Sequence, residues 1–421
     1  MKLVSGKYNT AKVFTDTLEP SCEEQIRGLL DLPAFSDARV RIMPDCHAGA
    51  SCVIGFTADL GDKVIPNIVG VDIGCGMLTV ELGPIDIDLA RFDAVVRERI
   101  PHGRDIHDGR KVRYDAAKEL TCYRELKSAK YVERALGTLG GGNHFIEIDE
   151  DDDGNKYLVI HTGSRRLGKE VCQAHQDVAW HLAIGMEELW DARQKLIYDY
   201  KATGRRAELK DAVAELHRQF KTKTAEVPKD LAYLHGKYTD NYIHDMQICQ
   251  DYANENRRLI ADLLCDGYGL VPIGSFTTVH NYIDHDTNMI RKGAVSAKNG
   301  ERILIPINMR DGSLICVGKG NDDWNQSAPH GAGRRYSRTE AAQTFTLEEY
   351  QATMDEAGVY STCINWKTID ESPMAYKDAS EIVDNIEDTA TVVKTIQPIY
   401  NFKSYFDSPK QEQEGKDASD K

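Results

Sequence analysis

Alternating apolar and polar residues predict two β-hairpins in this chain. In the first, HFIEI (144–148) and KYLVIH (156–161) flank a turn that contains Asp-Gly, a dipeptide typical of tight hairpin connections. His144 begins one strand and His161 ends the other. Because hairpin strands are antiparallel, we expect the two histidines to lie at the same end of the hairpin. The second hairpin is predicted from the segments ERILIPIN (301–308) and SLICVG (313–318).

Apolar residues at helical spacing predict long helices in the middle of the chain. Residues 168–220 are highly charged and helical in period, with a break at 202–204. Another helix is predicted over 242–264. Its apolar stripe consists of Tyr242, Met246, Cys249, Ala253, Leu259 and Leu263. We interpret the helical region at about 180–235 as an insertion in one domain, because candidate site motifs lie on both sides of it.

These elements together predict an α+β fold with a mixed sheet. A chain of 421 residues can form one large domain or two ordinary ones, and we expect a single large domain over residues 1–404. The tail, residues 405–421, ends in SPKQEQEGKDASDK. This segment is polar and has no aliphatic residues to anchor it, so we predict that the tail is disordered.

Charge is distributed unevenly along the chain. The net charge of −15 by itself argues against a nucleic-acid partner, and the acidic stretch 147–156 is interpreted as a solvated turn. In contrast, HTGSRRLGK (161–169) and HGAGRRYSRT (330–339) each contain three Lys or Arg residues and no acid. For one cluster alone, surface arginines would be the simpler interpretation. Two clusters that each begin at a candidate site histidine favour a phosphate-binding pocket.

Cysteine usage and hydropathy point to the cytoplasm. The ten cysteines form no CxxC pair, which favours reduced thiols in a cytosolic protein. No apolar run approaches the roughly 20 residues that span a bilayer, and the first residues lack the apolar region of a secretory signal. We therefore expect a cytoplasmic enzyme without a membrane partner.

Six potential metal ligands or nucleophiles lie in glycine-rich or polar turns, where glycine allows close approach to a ligand. A single His or Cys in a turn is more often a structural hydrogen-bond partner, but a set of this size favours one assembled site. Ligand softness alone would favour Zn²⁺, and the donors suffice for one or two ions. The residues are Asp72 and Cys75 in GVDIGCG, His144 in GTLGGGNHFIE, His161 in VIHTGSRRLG, His280 in TTVHNYID and His330 in SAPHGAGR.

These motifs closely resemble those of the RtcB family of RNA-splicing ligases, GTP-dependent enzymes that join RNA 3′-phosphate ends to 5′-hydroxyl ends. The resemblance extends from PDCHAGASCVIG (44–55) to PIYNFKS (398–404). It implies a single large α+β catalytic domain of the RtcB type. The family motifs PDxHxG, GxDIxCG, LGxGNHFIE, HTGSRxLG, VHN, RKGA, HGAGRxxSR and AYKD all occur in family order.

The resemblance implies a site for two manganese ions, with Cys75 as the bridge between them. The implied ligands are Asp72, Cys75, His144, His161 and His280.

The resemblance also implies a nucleophile and three reaction steps. His330 would attack the α-phosphate of GTP and carry GMP as a phosphoramidate, a role for which a neutral imidazole is competent. A 3′-phosphate RNA end, which can arise from a 2′,3′-cyclic phosphate, would take GMP from His330. A 5′-hydroxyl end would then attack the activated 3′ end and release GMP. Asp45, in PDCH, matches a family residue needed for the RNA steps, and we expect it to orient a hydroxyl group.

For the nucleotide, Glu147 is the implied guanine reader, because a carboxylate can accept from both N1–H and the 2-amino group; the alternative is an exposed glutamate at a strand end. Tyr376 would pack on the base or belong to the core. The chain departs from the family at Lys403, which precedes serine instead of glycine, and at Asn308, where serine is common. The implied contacts are Asn143, His144, Phe145, Ile146, Glu147, His280, Asn281, Pro306, Ile307, Asn308, Met309, Ser313, His330, Gly331, Ala332, Gly333, Tyr376 and Lys403.

The resulting hypothesis is a monomeric RNA ligase that uses GTP and two Mn²⁺ ions, with an activating protein partner left open. Its RNA substrates carry 3′-phosphate or 2′,3′-cyclic phosphate ends and 5′-hydroxyl ends. The alternative is a metal-dependent phosphodiesterase that acts on cyclic-phosphate RNA without sealing it. A catalytically silent RNA-binding paralogue is a third reading, which the intact ligand set and the acidic net charge both disfavour.

Overall fold

Strands and helices are interspersed along residues 1–59 and 61–405, the part of the chain that the computed structural model describes. The strands are β1 (Lys2–Ser5), β2 (Thr10–Val13), β3 (Arg41–His47), β4 (Ile54–Asp59), β5 (Gly76–Gly83), β6 (Phe145–Glu150), β7 (Lys156–Thr162), β8 (Gly274–Val279), β9 (Asn281–Asp284), β10 (Met289–Lys292), β11 (Ala294–Ser296), β12 (Arg302–Asn308), β13 (Gly312–Gly318), β14 (Ser327–Pro329) and β15 (Ala390–Lys403). The helices are α1 (Pro20–Leu30), α2 (Pro66–Val69), α3 (Leu89–Arg99), α4 (Ala129–Ala135), α5 (Arg165–Ala183), α6 (Met186–Ala202), α7 (Leu209–Gln219), α8 (Lys237–Tyr268), α9 (Arg338–Thr344), α10 (Leu347–Glu356) and α11 (Ala379–Ile386). The predicted α+β fold is confirmed. Disorder was predicted for the tail 405–421, and residues 406–421 of it lie outside the described residues.

Two large sheets form the framework. A seven-stranded antiparallel sheet has the order β12-β13-β15-β6-β7-β5-β8. Its two edge strands approach each other, since the Leu304 amide of β12 donates to Thr278 Oγ1 of β8 at 3.2 Å. A six-stranded sheet has the order β1-β2-β3-β4-β10-β9, with β2 and β3 parallel. The short pair β11-β14 leads from this sheet to the loop that contains His330.

Both predicted hairpins are confirmed. Strands β6 and β7 pair antiparallel, with Phe145 opposite His161, so His144 and His161 lie at the same end of the hairpin as expected. Strands β12 and β13 form the second hairpin.

The acidic stretch after the first strand differs from the prediction of a solvated turn. Glu147, Asp149 and Asp151 are 3%, 0% and 5% exposed. The alternation of β6 turns Glu147 and Asp149 toward the same face of the sheet. Asp151 is enclosed by donors, including the Tyr157 hydroxyl at 2.9 Å and the Lys394 ammonium. Of the acidic residues in this stretch, Asp152 and Asp153 are exposed.

The helical region also follows the predicted pattern closely. Helices α5, α6 and α7 span most of 168–220, and the break falls at Thr203 and Gly204, where φ of Gly204 is +76°. Helix α6 packs against α5 and α7. The assignment of 180–235 as an insertion stays a prediction.

Helix α8 is longer than predicted, and its buried stripe shifts along its length. Leu259 and Leu263 are half-buried, whereas Ile260 and Leu264 are fully buried. The stripe drifts because a straight helix turns once in 3.6 residues. Helix α8 packs against α3, α5, β5 and β7, which places its buried face directly behind the seven-stranded sheet.

The cysteines agree with the predicted reduced state. All ten are buried, and none forms a disulfide. None of the described helices is both long and apolar enough to cross a membrane.

Candidate active site

The five expected metal ligands lie together at one edge of the seven-stranded sheet. Asp72 and Cys75 are in the loop before β5, and His144 directly precedes β6. His161 is near the end of β7, and His280 directly follows β8. The antiparallel register aligns the start of β5 with the ends of β7 and β8, so ligands distant in sequence converge.

Their ligand atoms form two groups that share Cys75. One group contains Asp72, Cys75 and His144, the other Cys75, His161 and His280, and within each group the atoms lie within 4.8 Å of one another. Cys75 Sγ lies 3.6 Å from His144 Nε2 and 3.3 Å from His161 Nε2. A shared thiolate of this kind fits a pair of ions.

Backbone carbonyls fix which nitrogen of two histidines faces the cluster. His144 Nδ1 donates to the Leu139 carbonyl at 2.8 Å, and His161 Nδ1 donates to the Asn143 carbonyl at 3.1 Å. In the neutral rings, each Nε2 therefore presents a lone pair. His144 Nε2 faces the Asp72 carboxylate at 3.0 Å, a contact that either a proton on Nε2 or a shared metal ion makes favourable. This donor set fits bound metal ions, with the carbonyls as orienting partners.

Burial favours the neutral form of His161 and His280, which is the form that binds a metal ion. Burial lowers the pKa of His161 and His280 well below the ordinary value, and neighbouring imidazoles lower both further. His280 Nδ1 is buried without a hydrogen-bond partner among the described residues. Burial and the adjacent Asp72 raise the pKa of the Cys75 thiol well above its usual value. The thiol therefore needs a cation in order to ionise, as a metal ligand must.

Arg257 on α8 supports the cluster from behind, and the sequence analysis did not select it. Its side chain is 1% exposed, and its Nη1 donates to the carbonyls of Gly74 and Thr162, each at 2.8 Å. These carbonyls adjoin Cys75 and His161. Burial lowers the pKa of Arg257 to about 10, with Cys75 acting in the opposite direction. The guanidinium thus holds two ligand loops in place and favours the Cys75 thiolate.

Asn256 is a second supporting residue that the sequence analysis missed. Its Oδ1 accepts from the amides of Gly137 and Thr138 at 2.8 and 3.2 Å. Its Nδ2 donates to the Gly163 carbonyl at 3.2 Å. A Cβ on Gly163 would lie 2.2 Å from Asp72 Oδ1, so only glycine allows this loop to approach the ligand.

His330 lies beside the metal ligands and is held by Asp45. Its ring centroid is 4.8 Å from that of His280. Asp45 Oδ2 accepts from His330 Nδ1 at 2.7 Å and from the His330 amide at 3.2 Å. With Nδ1 donating, Nε2 of the neutral ring carries the free lone pair. Gly333 has φ of +75°, and a Cβ there would lie 2.2 Å from the Asp45 carbonyl oxygen, which explains one glycine of the HGAGR motif.

A cavity of about 670 Å³ opens next to His330. Its volume is in the range of small-molecule sites. Most of the expected nucleotide contacts line it, namely Asn143, Phe145, Glu147, Pro306, Ile307, Asn308, Met309, His330, Gly331, Ala332, Gly333, Tyr376 and Lys403.

The other expected nucleotide contacts lie off the cavity wall. His144 and His280 belong to the ligand cluster. Asn281 supports that cluster, because its Nδ2 donates to the Asp72 carbonyl at 3.3 Å. Ile146 points into the apolar core on the opposite face of β6, and Ser313 is fully buried with no partner for its hydroxyl among the described residues.

Glu147 is a buried carboxylate in the cavity wall, rather than an exposed residue at a strand end. Its Oε1 accepts from Asn401 Nδ2 at 2.8 Å. Burial raises the pKa of Glu147 to about 7, while Asn401 and Lys403 act in the opposite direction. The group is thus poised to ionise near neutral pH.

Glu371 forms ion pairs with the basic residues on one side of the cavity, and its role was not predicted from the sequence. Its buried carboxylate pairs with Lys403 at 2.8 Å, Arg334 at 3.2 Å and Arg338 at 2.6 Å. The Tyr376 hydroxyl donates to Glu371 at 2.6 Å. Burial opposes ionisation of Glu371, but these cations hold its pKa well below the usual range. Tyr376 is therefore a fixed part of the wall.

The two basic clusters have different environments. Arg334 and Arg335 line the cavity, as a phosphate-binding pocket requires. Arg165 instead donates to Thr138 Oγ1 at 3.1 Å, and Arg166 pairs with Glu170 at 2.5 Å; neither lines the cavity.

His47 is a further cavity residue that the sequence analysis did not select, although it belongs to the PDCH motif. Its Nδ1 donates to the Asp45 carbonyl at 3.0 Å. Burial lowers the pKa of His47 to about 4, with the Asp45 hydrogen bond acting in the opposite direction. A neutral imidazole therefore faces the cavity next to the Asp45–His330 pair.

The fold and the site together define a class of protein: an α+β domain with a cluster of metal-ligating side chains at the rim of a polar cavity. The family model described as tRNA-splicing ligase RtcB matches residues 25–127 and 111–404. The chain belongs to the RtcB family.

Three relatives match this chain over most of their own length. The chain is 29% identical to RNA-splicing ligase RtcB of Escherichia coli K12 over 91% of this chain and 94% of that protein. It is 25% identical to RNA-splicing ligase RtcB of Mycobacterium tuberculosis H37Rv over 86% and 95%, and 23% identical to tRNA-splicing ligase RtcB of Methanococcus maripaludis over 93% and 92%.

Proposed function

We propose that this protein is an RNA-splicing ligase that joins RNA 3′-phosphate or 2′,3′-cyclic phosphate ends to 5′-hydroxyl ends, using GTP and manganese. Family membership and the names of the relatives support RNA ligation. We further propose that it acts in the cytoplasm as a monomer, with RNA and GTP as its partners. Whether an activating protein takes part is left open.

The observation that carries the proposal is the position of His330. Asp45 anchors its Nδ1, and the ring lies between the ligand cluster and the cavity. In the proposed first step, Nε2 attacks the α-phosphate of GTP, an N–P bond forms, and pyrophosphate leaves. A 2′,3′-cyclic phosphate end is first hydrolysed by water to a 3′-phosphate, with the 2′-oxygen as the leaving group. An oxygen of the 3′-phosphate then displaces His330 Nε2 and takes the GMP. The 5′-hydroxyl oxygen then attacks the RNA phosphate, and GMP leaves.

Asp72, Cys75, His144, His161 and His280 would hold two manganese ions, with Cys75 in common. When bound, these ions supply positive charge that orients phosphate oxygens and offsets the charge developing in displacement. Arg257 and Asn256 keep the ligand loops in place for this purpose.

The remaining cavity residues position the substrates. The Glu147 carboxylate accepts hydrogen bonds from guanine N1–H and the 2-amino group. Adenine does not offer this pair of adjacent donors. The amides of Gly331, Ala332 and Gly333 are available to phosphate oxygens. Arg334 and Arg338, which Glu371 holds in place, add positive charge at the same wall.

The alternative of a phosphodiesterase that does not seal RNA accounts for less of the site. Hydrolysis of a cyclic phosphate requires neither a histidine anchored for covalent catalysis nor a buried carboxylate in a base pocket. The distinguishing experiment supplies two RNA fragments, one with a 2′,3′-cyclic phosphate end and one with a 5′-hydroxyl end, together with GTP and Mn²⁺. We expect a joined product that requires GTP. Opening of the cyclic phosphate without any joined product would overturn the proposal in favour of the phosphodiesterase.

A further inference from the structure

A third group of metal-ligating side chains lies apart from the active site. Ligand atoms of Cys122, His175 and Asp245 are all within 4.8 Å of one another. The three side chains are buried, and none of them lines the cavity. They come from three different segments: the loop before α4, helix α5 and helix α8.

The Asp245 carboxylate is the centre of this group. Its Oδ2 accepts from His175 Nε2 at 2.8 Å, from Thr121 Oγ1 at 2.8 Å and from the Cys122 amide at 3.2 Å. Its Oδ1 accepts from the Thr121 amide at 2.7 Å and from His244 Nδ1 at 3.0 Å. The carboxylate is fully buried, so these donors fix its position.

Oδ2 is crowded with donors. A carboxylate oxygen has about two lone pairs, yet Oδ2 receives three hydrogen bonds, and the Cys122 sulphur lies within 4.8 Å of the Asp245 and His175 ligand atoms. One cation bonded to Oδ2, the Cys122 sulphur and the His175 nitrogen would replace the His175 proton at this crowded oxygen. The first carboxylate–imidazole–thiol group, Asp72, Cys75 and His144, shows the same close approach of ligand atoms.

We propose that Cys122, His175 and Asp245 bind one zinc ion, at a site separate from the manganese site. A thiolate, an imidazole and a carboxylate are the donors that zinc takes in proteins, whereas Mg²⁺ and Ca²⁺ prefer oxygen donors alone. With the thiol ionised, the charges of Cys122, Asp245 and Zn²⁺ sum to zero. A neutral assembly avoids the high cost of an uncompensated charge in a buried place.

Zinc binding at this site releases protons. The thiol proton and the His175 Nε2 proton must both leave when the nitrogen and the sulphur bind the ion. Affinity for zinc therefore increases with pH.

The position of the site indicates a structural role. Helix α8 carries Asn256 and Arg257, which hold the ligand loops of the active site. Helix α5 begins at Arg165, directly after the loop that follows His161. An ion bonded to both helices and to the Cys122 loop would fix the layer behind the active site.

The test uses a Cys75→Ala variant, which removes the only cysteine of the manganese site. The protein is stripped of metal and titrated with Co²⁺, a spectroscopic substitute for zinc, and zinc content is measured in parallel. We expect a thiolate-to-cobalt charge-transfer band from one ion bound at Cys122, in addition to any ion that Asp72, His144, His161 and His280 still hold. The band and this one ion should disappear in the Cys75→Ala/Cys122→Ala double variant. They should persist in Cys75→Ala/Cys316→Ala, because Cys316 is a buried thiol outside the group.

Two results would overturn the proposal. One is a folded Cys75→Ala protein that shows no thiolate band with Co²⁺, a measurement that needs no substitution in the proposed site. The other is a band that survives the loss of Cys122. If Cys122→Ala impairs folding, Cys75→Ala/His175→Gln takes its place and should lose the thiolate band. None of these readouts depends on ligase activity.

Discussion

Asp45 Oδ2 accepts two hydrogen bonds from His330, one from the ring and one from the backbone amide, at 2.7 and 3.2 Å. The carboxylate is fully buried, whereas the His330 side chain is 16% exposed. One anion thus fixes both the rotation of the imidazole and the nitrogen that carries its proton. It would also stabilise positive charge on the ring as Nε2 attacks a phosphate, as the aspartate of a serine-protease triad does for its histidine.

The first prediction concerns this pair. Asp45→Asn should slow formation of the His330–GMP adduct by at least tenfold, since loss of an orienting carboxylate costs up to about 10⁴-fold in triads. The amide keeps the shape of the side chain but loses its charge. Rapid-quench measurement of labelled adduct checks this. Asp93→Asn, at a buried aspartate that does not line the cavity, is the matched control and should keep the normal rate. An unchanged rate in Asp45→Asn would limit Asp45 to the RNA steps.

The second prediction concerns the choice of base. Glu147→Ala should weaken GTP binding by about 1–3 kcal/mol, the usual cost of losing a hydrogen bond to a charged group. Binding of Mn²⁺ should be little affected. Calorimetric titration with GTP and ATP measures both selectivity and affinity. Equal use of ATP and GTP by the unmutated protein would contradict the assignment of Glu147.

The third prediction follows from the ionisation of Glu147. Its pKa is raised to about 7, so the free carboxyl is mostly protonated below that pH and mostly ionised above it. Only the ionised form accepts both guanine donors. Guanosine affinity should therefore rise about tenfold between pH 6 and pH 8. Guanosine has no phosphates, so the experiment can use metal-free protein. Glu147→Gln is the control and should bind weakly at all pH values; a pH-independent affinity in the unmutated protein would refute the prediction.

The fourth prediction concerns the metal ions. By the Irving–Williams order the ligand set should bind Zn²⁺ more tightly than Mn²⁺, so affinity does not account for the proposed use of manganese. Mn²⁺ accepts five or six ligands, so its coordination can change as phosphate oxygens bind and leave during the three proposed steps. Zinc held by four tetrahedral ligands leaves fewer positions for these oxygens. We expect guanylylation with Mn²⁺, inhibition by added Zn²⁺, and at most one bound Mn²⁺ in Cys75→Ala. Cys316→Ala should keep both ions. Full activity with Zn²⁺ alone, or two Mn²⁺ ions in Cys75→Ala, would show that the metal or the bridge is wrong.

Part of this architecture could be predicted from local patterns. Strict alternation and an Asp-Gly turn were sufficient for the β6–β7 hairpin and hence for the proximity of His144 and His161. The same alternation implied that Glu147 and Asp149 lie on one face of the sheet. The many acidic residues in the stretch 147–156 nevertheless favoured the interpretation as a solvated turn. Burial of these carboxylates depends on β15, which pairs with β6 from more than two hundred residues away.

Other parts depend on tertiary packing and leave no local signal. Arg257 and Asn256 lie in a charged helix, where nothing in the spacing distinguishes them from surface residues. Glu371 becomes recognisable only when Lys403, Arg334 and Arg338 surround it. Asp45 could be selected through its motif, but its contact with His330 spans 285 residues of sequence.

The central claim is that His330 carries GMP. The most direct measurement incubates the protein with α-labelled GTP and Mn²⁺ and determines the label bound to protein after denaturation. We predict an adduct that is labile in acid and stable in alkali, as a phosphoramidate is. It should be absent in His330→Ala and normal in His217→Ala, at an exposed histidine of α7. A normal adduct in His330→Ala, or the lack of any adduct in the unmutated protein, would contradict the account.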